Sequence, residues 1–134
     1  MKVEYLDDLT DGGKFKQVVS ENLIRLYDFD EHEALKFKDK LQETIVQKRA
    51  PFELSIEPYI EAINCSFIFR LSENDIGISS TDKQSFYCDL TLDSYIWMVS
   101  LLEPFSDSKA QNGFQWLYEL DNPIDLLFSP GGTW

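Results

Sequence analysis

Two stretches of the chain repeat apolar residues at the spacing of an amphipathic helix. In the first, Asp30 is a good N-cap, and Glu33 three residues later completes a capping-box pattern. Pro51 disfavours helical geometry at the residue before it, so this helix is predicted to end near Arg49. The apolar stripe of the predicted helix consists of Ala34, Phe37, Leu41 and Ile45.

The second helix is predicted over residues 92–103, with Thr91 as its N-cap. Trp97 and Leu101 point away from its core stripe, which leaves the helix apolar on nearly every side. Such a helix is either buried on two faces or used in an interface. The predicted core stripe is Leu92, Tyr95, Ile96, Val99 and Leu102.

Most of the remaining chain alternates apolar and polar residues, which predicts β-strands with one solvated face. Strands are predicted at residues 2–6, 15–27 (one bulged strand or two), 52–56, 63–71, 76–79 and 86–90, followed by a hairpin of 114–120 and 124–128. The first is expected at a sheet edge, and the short connections between 52 and 90 favour an antiparallel meander. The sequence therefore predicts a single α+β domain over 1–134, with one mainly antiparallel, twisted sheet of about six to eight strands and both helices packed on it.

Acidic residues outnumber basic ones by 24 to 12, which gives a net charge of −12 at pH 7. The excess is uneven, because residues 50–134 hold 13 acids against Arg70, Lys83 and Lys109, for a net charge of −10. A surface of this kind repels phosphate backbones and anionic membranes, so neither nucleic acid nor a membrane is expected as a partner. It attracts a basic partner; the alternative is that the charge serves solubility alone.

The residues that carry catalysis and metal binding form no recognisable constellation in the sequence. Glycine-rich nucleotide motifs are absent, so no cofactor is expected. His32 is the single histidine and is expected to be exposed in the first helix. Cys65 and Cys88 fall on core positions of their strands, so both are expected to be buried and reduced. The sequence therefore predicts no metal site and no catalytic residue, and favours a protein that is not an enzyme.

Surface recognition is the function that the residues favour. Aromatic side chains anchor interfaces, and complementary charge speeds the encounter with a partner. Trp116, Tyr118 and Trp134 are further candidate anchors, although most aromatic residues are expected in the core. The predicted binding residues lie on the second helix and in the acidic turns: Trp97, Leu101, Glu73, Asp75, Glu119, Asp121 and Asp125.

The end of the chain resembles that of immunity proteins from toxin–immunity systems. Some of these small, acidic, bacterial proteins end in the pattern Trp-Leu … Leu-Leu-x-Ser-Pro-x-Gly-x-Trp. Here the pattern corresponds to Trp116-Leu117 and to the segment from Leu126 to Trp134. The resemblance implies a protein that blocks a toxin by binding it, without catalysis of its own. Residues 129–132 are expected to turn the chain so that Trp134 packs against the body of the protein.

The main hypothesis is therefore a cytoplasmic, non-catalytic protein of the immunity type that neutralises a basic toxin through an acidic, aromatic-containing surface. The cytoplasmic location is expected because the start of the chain lacks an apolar stretch of signal-peptide length. Two alternatives stay open. One is a small ligand-binding domain or enzyme with a pocket between the sheet and the second helix, and the other is a homodimer formed through Trp97 and Leu101.

Overall fold

The computed structural model describes residues 1–7, 22–107 and 113–133 of the chain. The α+β fold that the sequence predicts is confirmed, with two helices and nine strands in these residues. In chain order the elements are β1 (Lys2–Leu6), β2 (Asn22–Tyr27), α1 (Glu31–Leu41), β3 (Phe52–Glu53), β4 (Glu61–Ala62), β5 (Ser66–Leu71), β6 (Gly77–Ser79), β7 (Ser85–Leu90), α2 (Leu92–Leu102), β8 (Gln115–Trp116) and β9 (Ile124–Phe128).

The strands form two mixed sheets rather than one mainly antiparallel sheet. The first sheet has the order β4-β1-β2-β9-β8, and the second has the order β3-β5-β7-β6. Parallel pairs join β1 to β4, β2 to β9 and β5 to β7, while the other neighbours are antiparallel. The strand at residues 2–6 is therefore not at a sheet edge, because β4 covers its outer side with two residues.

The expected antiparallel meander between 52 and 90 is wrong at one connection. β7 lies between β5 and β6, so β5 and β7 run parallel and β6 pairs with the far side of β7. The connection from β5 to β6 crosses the end of β7, where Ser72 N donates to Leu90 O (2.9 Å) and Ile76 N donates to Asp89 O (2.9 Å). These bonds satisfy the backbone of a short loop that has to pass a whole strand.

Helix α1 forms as the sequence predicts. The carboxylate of Asp30 accepts a hydrogen bond from Glu33 N at 2.9 Å, which satisfies one of the free amides of the first turn. A π-helical segment, Gln42–Gln47, continues the helix, and Arg49 beyond it has a φ of +57°. The predicted stripe of Ala34, Phe37, Leu41 and Ile45 is fully buried.

Helix α2 begins and ends where expected, but its buried face is rotated from the predicted one. Tyr95 and Leu102 are buried as predicted, whereas Met98 replaces Ile96, which is 48% exposed. The Tyr95 hydroxyl lies 2.6 Å from Cys88 O and 2.7 Å from Arg70 O, and accepts from Arg70 N. Because these backbone groups lie on the parallel strands β5 and β7, the hydroxyl fixes the rotation of the helix against the second sheet.

The predicted strand at 52–56 is shorter than expected. After the two residues of β3 the chain forms a 3₁₀ turn, Leu54–Ile56, closed by Glu57 N donating to Leu54 O at 3.1 Å. The turn breaks the two-residue alternation, so Ile56 is 70% exposed instead of buried. In the predicted strand at 63–71, Ile63 likewise lies outside β5 and is exposed, whereas Cys65, Phe67 and Phe69 are buried.

One hydrophobic core joins both sheets to the helices. The ring of Phe37 on α1 lies 5.9 Å from Phe52 and 6.1 Å from Phe69 in the second sheet, and 5.7 Å from Phe128 in the first. These centroid distances are those of favourable aromatic pairs. Helix α1 therefore links the two sheets through aromatic contacts.

The C-terminal hairpin is confirmed, with a first strand of only two residues. β8 pairs antiparallel with β9, and β9 adds to β2 in parallel. Beyond β9, Ser129 N donates to Leu26 O (3.0 Å) and Arg25 Nη1 donates to Gly132 O (3.0 Å), so the segment 129–133 lies along β2. The expected packing of Trp134 falls outside the described residues, as does the predicted strand over 15–21.

Helices of the described part of the chain are all too short or too polar to cross a lipid bilayer.

Candidate functional site

A cleft of about 410 Å³ separates helix α2 from the segment 115–120 that begins with β8. Its floor and walls combine apolar and acidic side chains. We call it the α2 cleft and define it by its lining residues: Asp75, Leu90, Ser94, Trp97, Leu101, Gln115, Trp116, Leu117, Tyr118, Glu119 and Leu120. Its volume lies in the range of roughly 300–1,000 Å³ that is usual for sites that bind ligands.

The helical wall of the α2 cleft follows from the composition of α2. Tyr95, Met98 and Leu102 take up its core-facing stripe, and residues between them must face outward. Trp97 is one of these and is 64% exposed, a large value for a tryptophan, which is highly buried on average. Leu101, one turn further on, is half-buried beside it. Trp97 and Leu101, which are apolar but do not belong to the buried stripe of α2, therefore form one wall of the cleft.

The opposite wall is held in place by the first sheet. Trp116 packs against Leu23 and Leu127 and lies edge-on to Phe114, with 6.2 Å between ring centroids. The buried Tyr118 hydroxyl donates to Ile124 O on β9 and accepts from Ile78 N on β6 at 3.4 Å. Burial raises the pKa of Tyr118, so this phenol stays neutral and structural. Of the two predicted anchors, Trp116 faces the cleft from a packed base and Tyr118 belongs to the core.

Asp75 lies at the end of the cleft where α2 begins. Its Oδ1 accepts hydrogen bonds from Thr91 N (2.8 Å) and Ser94 Oγ (2.8 Å), so a residue from the β5–β6 connection helps to cap the helix. The bond from the Thr91 amide is the main reason that the pKa of Asp75 lies below its usual value. Asp75 is therefore ionised at neutral pH and held in one orientation.

The charge of the α2 cleft is wholly negative among the described residues that line it. Asp75 and Glu119 are its acidic residues, and no lysine or arginine is among the lining residues. In the acidic half of the chain, Arg70 is engaged by Asp89 through two bonds of 2.8 and 2.7 Å and lies over the Tyr87 ring at 4.2 Å. The cleft therefore offers aromatic faces and carboxylates that no described lysine or arginine neutralises.

The structure brings together four of the seven predicted binding residues. Trp97, Leu101, Asp75 and Glu119 all line the α2 cleft, although they come from three separate segments of the chain. The other three lie elsewhere. Glu73 is exposed in the β5–β6 connection, Asp121 is exposed in the turn before β9, and Asp125 is half-buried in β9, paired with Leu23.

Ser94 and Gln115 are cleft residues that the sequence did not predict. Ser94 follows the N-cap Thr91 by three residues, the position at which a side chain reaches back to the start of a helix. That spacing is a sequence signal for capping, and it indicates that Ser94 lies at the N-terminal end of α2. Gln115 carries no comparable signal, because its place depends on how β8 pairs with β9.

A second depression, more open than the first, has a volume of about 310 Å³ and lies beside α1. Its lining alternates charges of both signs: Lys36, Asp39, Lys40, Glu43 and Glu57, with Tyr59. The buried Tyr59 hydroxyl has no hydrogen-bond partner in the described part of the chain. Mixed charges that partly pair with one another, as Lys40 and Glu57 do at 4.0 Å, give this surface no clear preference for a ligand.

Neither cysteine contributes to the α2 cleft. Cys65 and Cys88 are both free and buried, and burial raises the pKa of Cys65 to about 11 and also raises that of Cys88. His32 is exposed on α1, as expected. Over residues 1–7, 22–107 and 113–133, no three side chains of His, Cys, Asp or Glu are grouped so that they could hold a metal ion.

Comparison of the chain with known proteins found no matching family model and no matching curated protein.

Proposed function

We propose that this chain is a non-catalytic binding protein of the immunity type, which neutralises a basic partner protein by docking it over the α2 cleft. The observation that carries the proposal is the lining of this cleft. It presents Trp97 and Trp116 together with the carboxylates of Asp75 and Glu119, and no basic side chain among its described residues. Aromatic anchors beside uncompensated acids suit the lysines and arginines of a basic protein.

The distribution of exposed apolar residues supports the same surface. Seven large hydrophobic side chains are exposed in the described residues, and four of them are cleft residues or their immediate sequence neighbours: Ile76, Ile96, Trp97 and Phe114. Contiguous apolar surface rimmed by polar groups is typical of protein–protein interfaces. Trp97 lines the cleft and Phe114 lies edge-on to Trp116, so exposed aromatic surface beside the carboxylates favours a protein as the partner.

The overall charge supports a basic partner in particular. A net charge of −12 produces a field that draws positively charged molecules toward the protein and raises their association rate. The proposal places the protein in the cytoplasm, where a reducing environment keeps Cys65 and Cys88 as thiols. Many toxins that act on nucleic acids are basic, and an acidic protein can cover a surface built for phosphates.

A small-molecule ligand is the second candidate, favoured by the size of the α2 cleft. The cleft lies between α2 and the C-terminal hairpin, and a ligand of this kind would bind there. An enzyme with a carboxylic acid as proton donor is less well supported. The pKa of Asp75 is lowered, and such a donor needs a raised pKa.

A homodimer is disfavoured by charge. An isologous interface through Trp97 and Leu101 would bring the acidic cleft residues of two copies close together. Like charges placed opposite each other reduce affinity, and two copies of the chain also repel each other because each has a net charge of −12.

The test is affinity purification of the tagged chain from its native cells at 50 and 150 mM NaCl, followed by expression of the captured protein. We expect a basic protein in stoichiometric amount that inhibits growth when expressed alone, and growth restored by co-expression of the wild-type chain. Trp97→Ala should capture at least tenfold less of it, because aromatic hot spots contribute about 2 kcal/mol or more.

The matched control is Ile56→Ala, which shortens a side chain that is 70% exposed and lies outside the α2 cleft. It should capture as much partner as the wild-type chain. The proposed function is wrong if no protein is retained in stoichiometric amount at 50 mM NaCl. Its assignment to the cleft is wrong if Trp97→Ala and Ile56→Ala behave alike.

A further inference from the structure

We propose that the α2 cleft is a receptor for a single arginine side chain, with the guanidinium plane against the indole of Trp97 and its charge between the carboxylates of Asp75 and Glu119. This inference rests on the proposed function, since the arginine would belong to the basic partner. It specifies which chemical group enters the cleft and which residues select that group.

Trp97 supplies an exposed aromatic surface in the cleft. Its side chain is 64% exposed, so much of the indole is open to a ligand, and Trp116 presents a second indole to the same cleft. A guanidinium group is planar and weakly hydrated, so it stacks on an indole and leaves its edge N–H groups free to bind acids. An ammonium group is compact and strongly hydrated, and gains less from such a surface.

Asp75 supplies a carboxylate that is held in a fixed orientation. The bonds from Thr91 N and Ser94 Oγ both end on Oδ1, and the Thr91 hydroxyl also hydrogen-bonds this carboxylate. The helix N-terminus would by itself repel a cation. The amides at the start of α2 already have acceptors here, because Thr91 N donates to Asp75 Oδ1 and Ser94 N donates to Thr91 Oγ1 at 3.3 Å. These donors are all neutral, so no described cation neutralises the negative charge of Asp75 beside the cleft.

Glu119 supplies the second charge from the opposite wall. It is exposed, lines the cleft and forms no ion pair with a described residue. Asp75 also has no basic partner in the described part of the chain. Two carboxylates on opposite sides of an aromatic cleft fit the several donors of one guanidinium better than they fit the single charge of an ammonium.

The experiment uses N-acetyl-arginine amide as the probe and follows the indole N–H signals of Trp97 and Trp116 by NMR of the ¹⁵N-labelled full chain. Variants with Phe at each position assign the two signals. We expect both signals to shift in a saturable way with the arginine probe. N-acetyl-citrulline amide, which has nearly the same shape without the charge, should leave them unchanged, and N-acetyl-lysine amide should bind at least threefold more weakly.

Two substitutions test the carboxylates. Glu119→Gln and Asp75→Asn should each weaken binding of the arginine probe by about threefold to tenfold, since each removes one close charge. Glu73→Gln and Asp121→Asn change the net charge equally at exposed acids outside the cleft, and should change binding by less than twofold. The amide oxygen of Asp75→Asn can still accept the two hydrogen bonds, so the helix loses only the charge of its cap and stays folded.

Three results would overturn the inference. They are no saturable shift with the arginine probe, equal shifts with the citrulline or lysine probe, and equal losses in the cleft and control variants. The outcome is separable from that of the proposed function. A captured toxin whose binding is unaffected by Glu119→Gln would refute the arginine receptor alone. Binding of the arginine probe by a chain that retains no basic protein would refute the proposed function alone.

Discussion

Gly77, at the start of β6, adopts a φ of +90°, a conformation that residues with side chains rarely take. A Cβ placed there would lie 2.6 Å from Asn122 Nδ2, which donates to Ile76 O (3.0 Å) and Ile78 O (3.2 Å). We expect Gly77→Ala to lower the free energy of unfolding by about 1–3 kcal/mol, because it adds backbone strain and displaces these hydrogen bonds. Urea unfolding followed by circular dichroism measures the change.

The control for this substitution is Gly131→Ala, because a Cβ at Gly131 would meet no atom within 4 Å. Its urea midpoint should match that of the wild-type chain. If both alanine variants unfold at the same urea concentration, the contact between β6 and the turn at Asn122 contributes nothing to stability. That contact also bears on the α2 cleft, since Asn122 closely follows the segment 115–120 that forms one wall.

Single residues of the cleft could be predicted where a local pattern marks them. Trp97 and Leu101 are apolar positions that the core stripe of α2 does not use, and this can be recognised from helical spacing alone. Asp75 was predicted as part of an acidic turn, but its bond to Thr91 could not be, because it joins residues 16 positions apart. Gln115 had no signal, since its place is decided by strand pairing rather than by its neighbours.

The N-terminus of α2 lies at one end of the cleft and is capped by Asp75. Asp75 Oδ1 accepts from Thr91 N and Ser94 Oγ, so protonation of this carboxyl weakens the cap. Because the pKa of Asp75 is lowered in the folded chain, chiefly by the Thr91 amide, the resulting stability is fully present above the unfolded-state pKa of about 3.9. It is lost as the pH falls through the lowered folded-state value.

We therefore expect Asp75→Asn, which keeps the hydrogen bonds but loses the charge, to lower the free energy of unfolding by about 0.3–1 kcal/mol at pH 7. The difference from the wild-type chain should narrow between about pH 5 and pH 2. Urea unfolding across that range provides the measurement. Glu73→Gln is the matched control, because Glu73 is exposed and has no described hydrogen bond to the helix. A difference for Asp75→Asn that stays constant with pH would contradict the role of its charge in the cap.

Local sequence patterns determine where the helices lie but leave the rotation of α2 and the order of three strands undetermined. The positions of both helices follow from caps and apolar spacing, and each is observed where these signals lie. The rotation of α2 does not follow from these signals, because it is set by the Tyr95 hydroxyl, which reaches carbonyls on β5 and β7. The order of β5, β6 and β7 is also undetermined, since a five-residue connection suits either a hairpin or a crossing over one strand end.

At the scale of the whole molecule, the fold class could be predicted because it depends on the sum of many alternations and stripes rather than on any single pairing. Division of the strands into two sheets could not, because it depends on which strands meet around Phe37 and the shared aromatic core. The net charge is also a property of the whole molecule, and it follows directly from the amino-acid composition.

With 24 acids against 12 bases, repulsion among like charges opposes the compact state at neutral pH. Salt shortens the range of this repulsion to about 8 Å at physiological ionic strength. We expect the Tm to rise by a few degrees between 10 and 150 mM NaCl, because this gain exceeds the loss from exposed ion pairs such as Lys48–Glu43. Affinity for a basic partner should fall over the same range. Scanning calorimetry measures the Tm. At a pH near the isoelectric point of about 4.3, the net charge is close to zero, so the effect of salt on the Tm should largely disappear. A Tm that falls with salt at pH 7 would mean that local ion pairs outweigh the net charge.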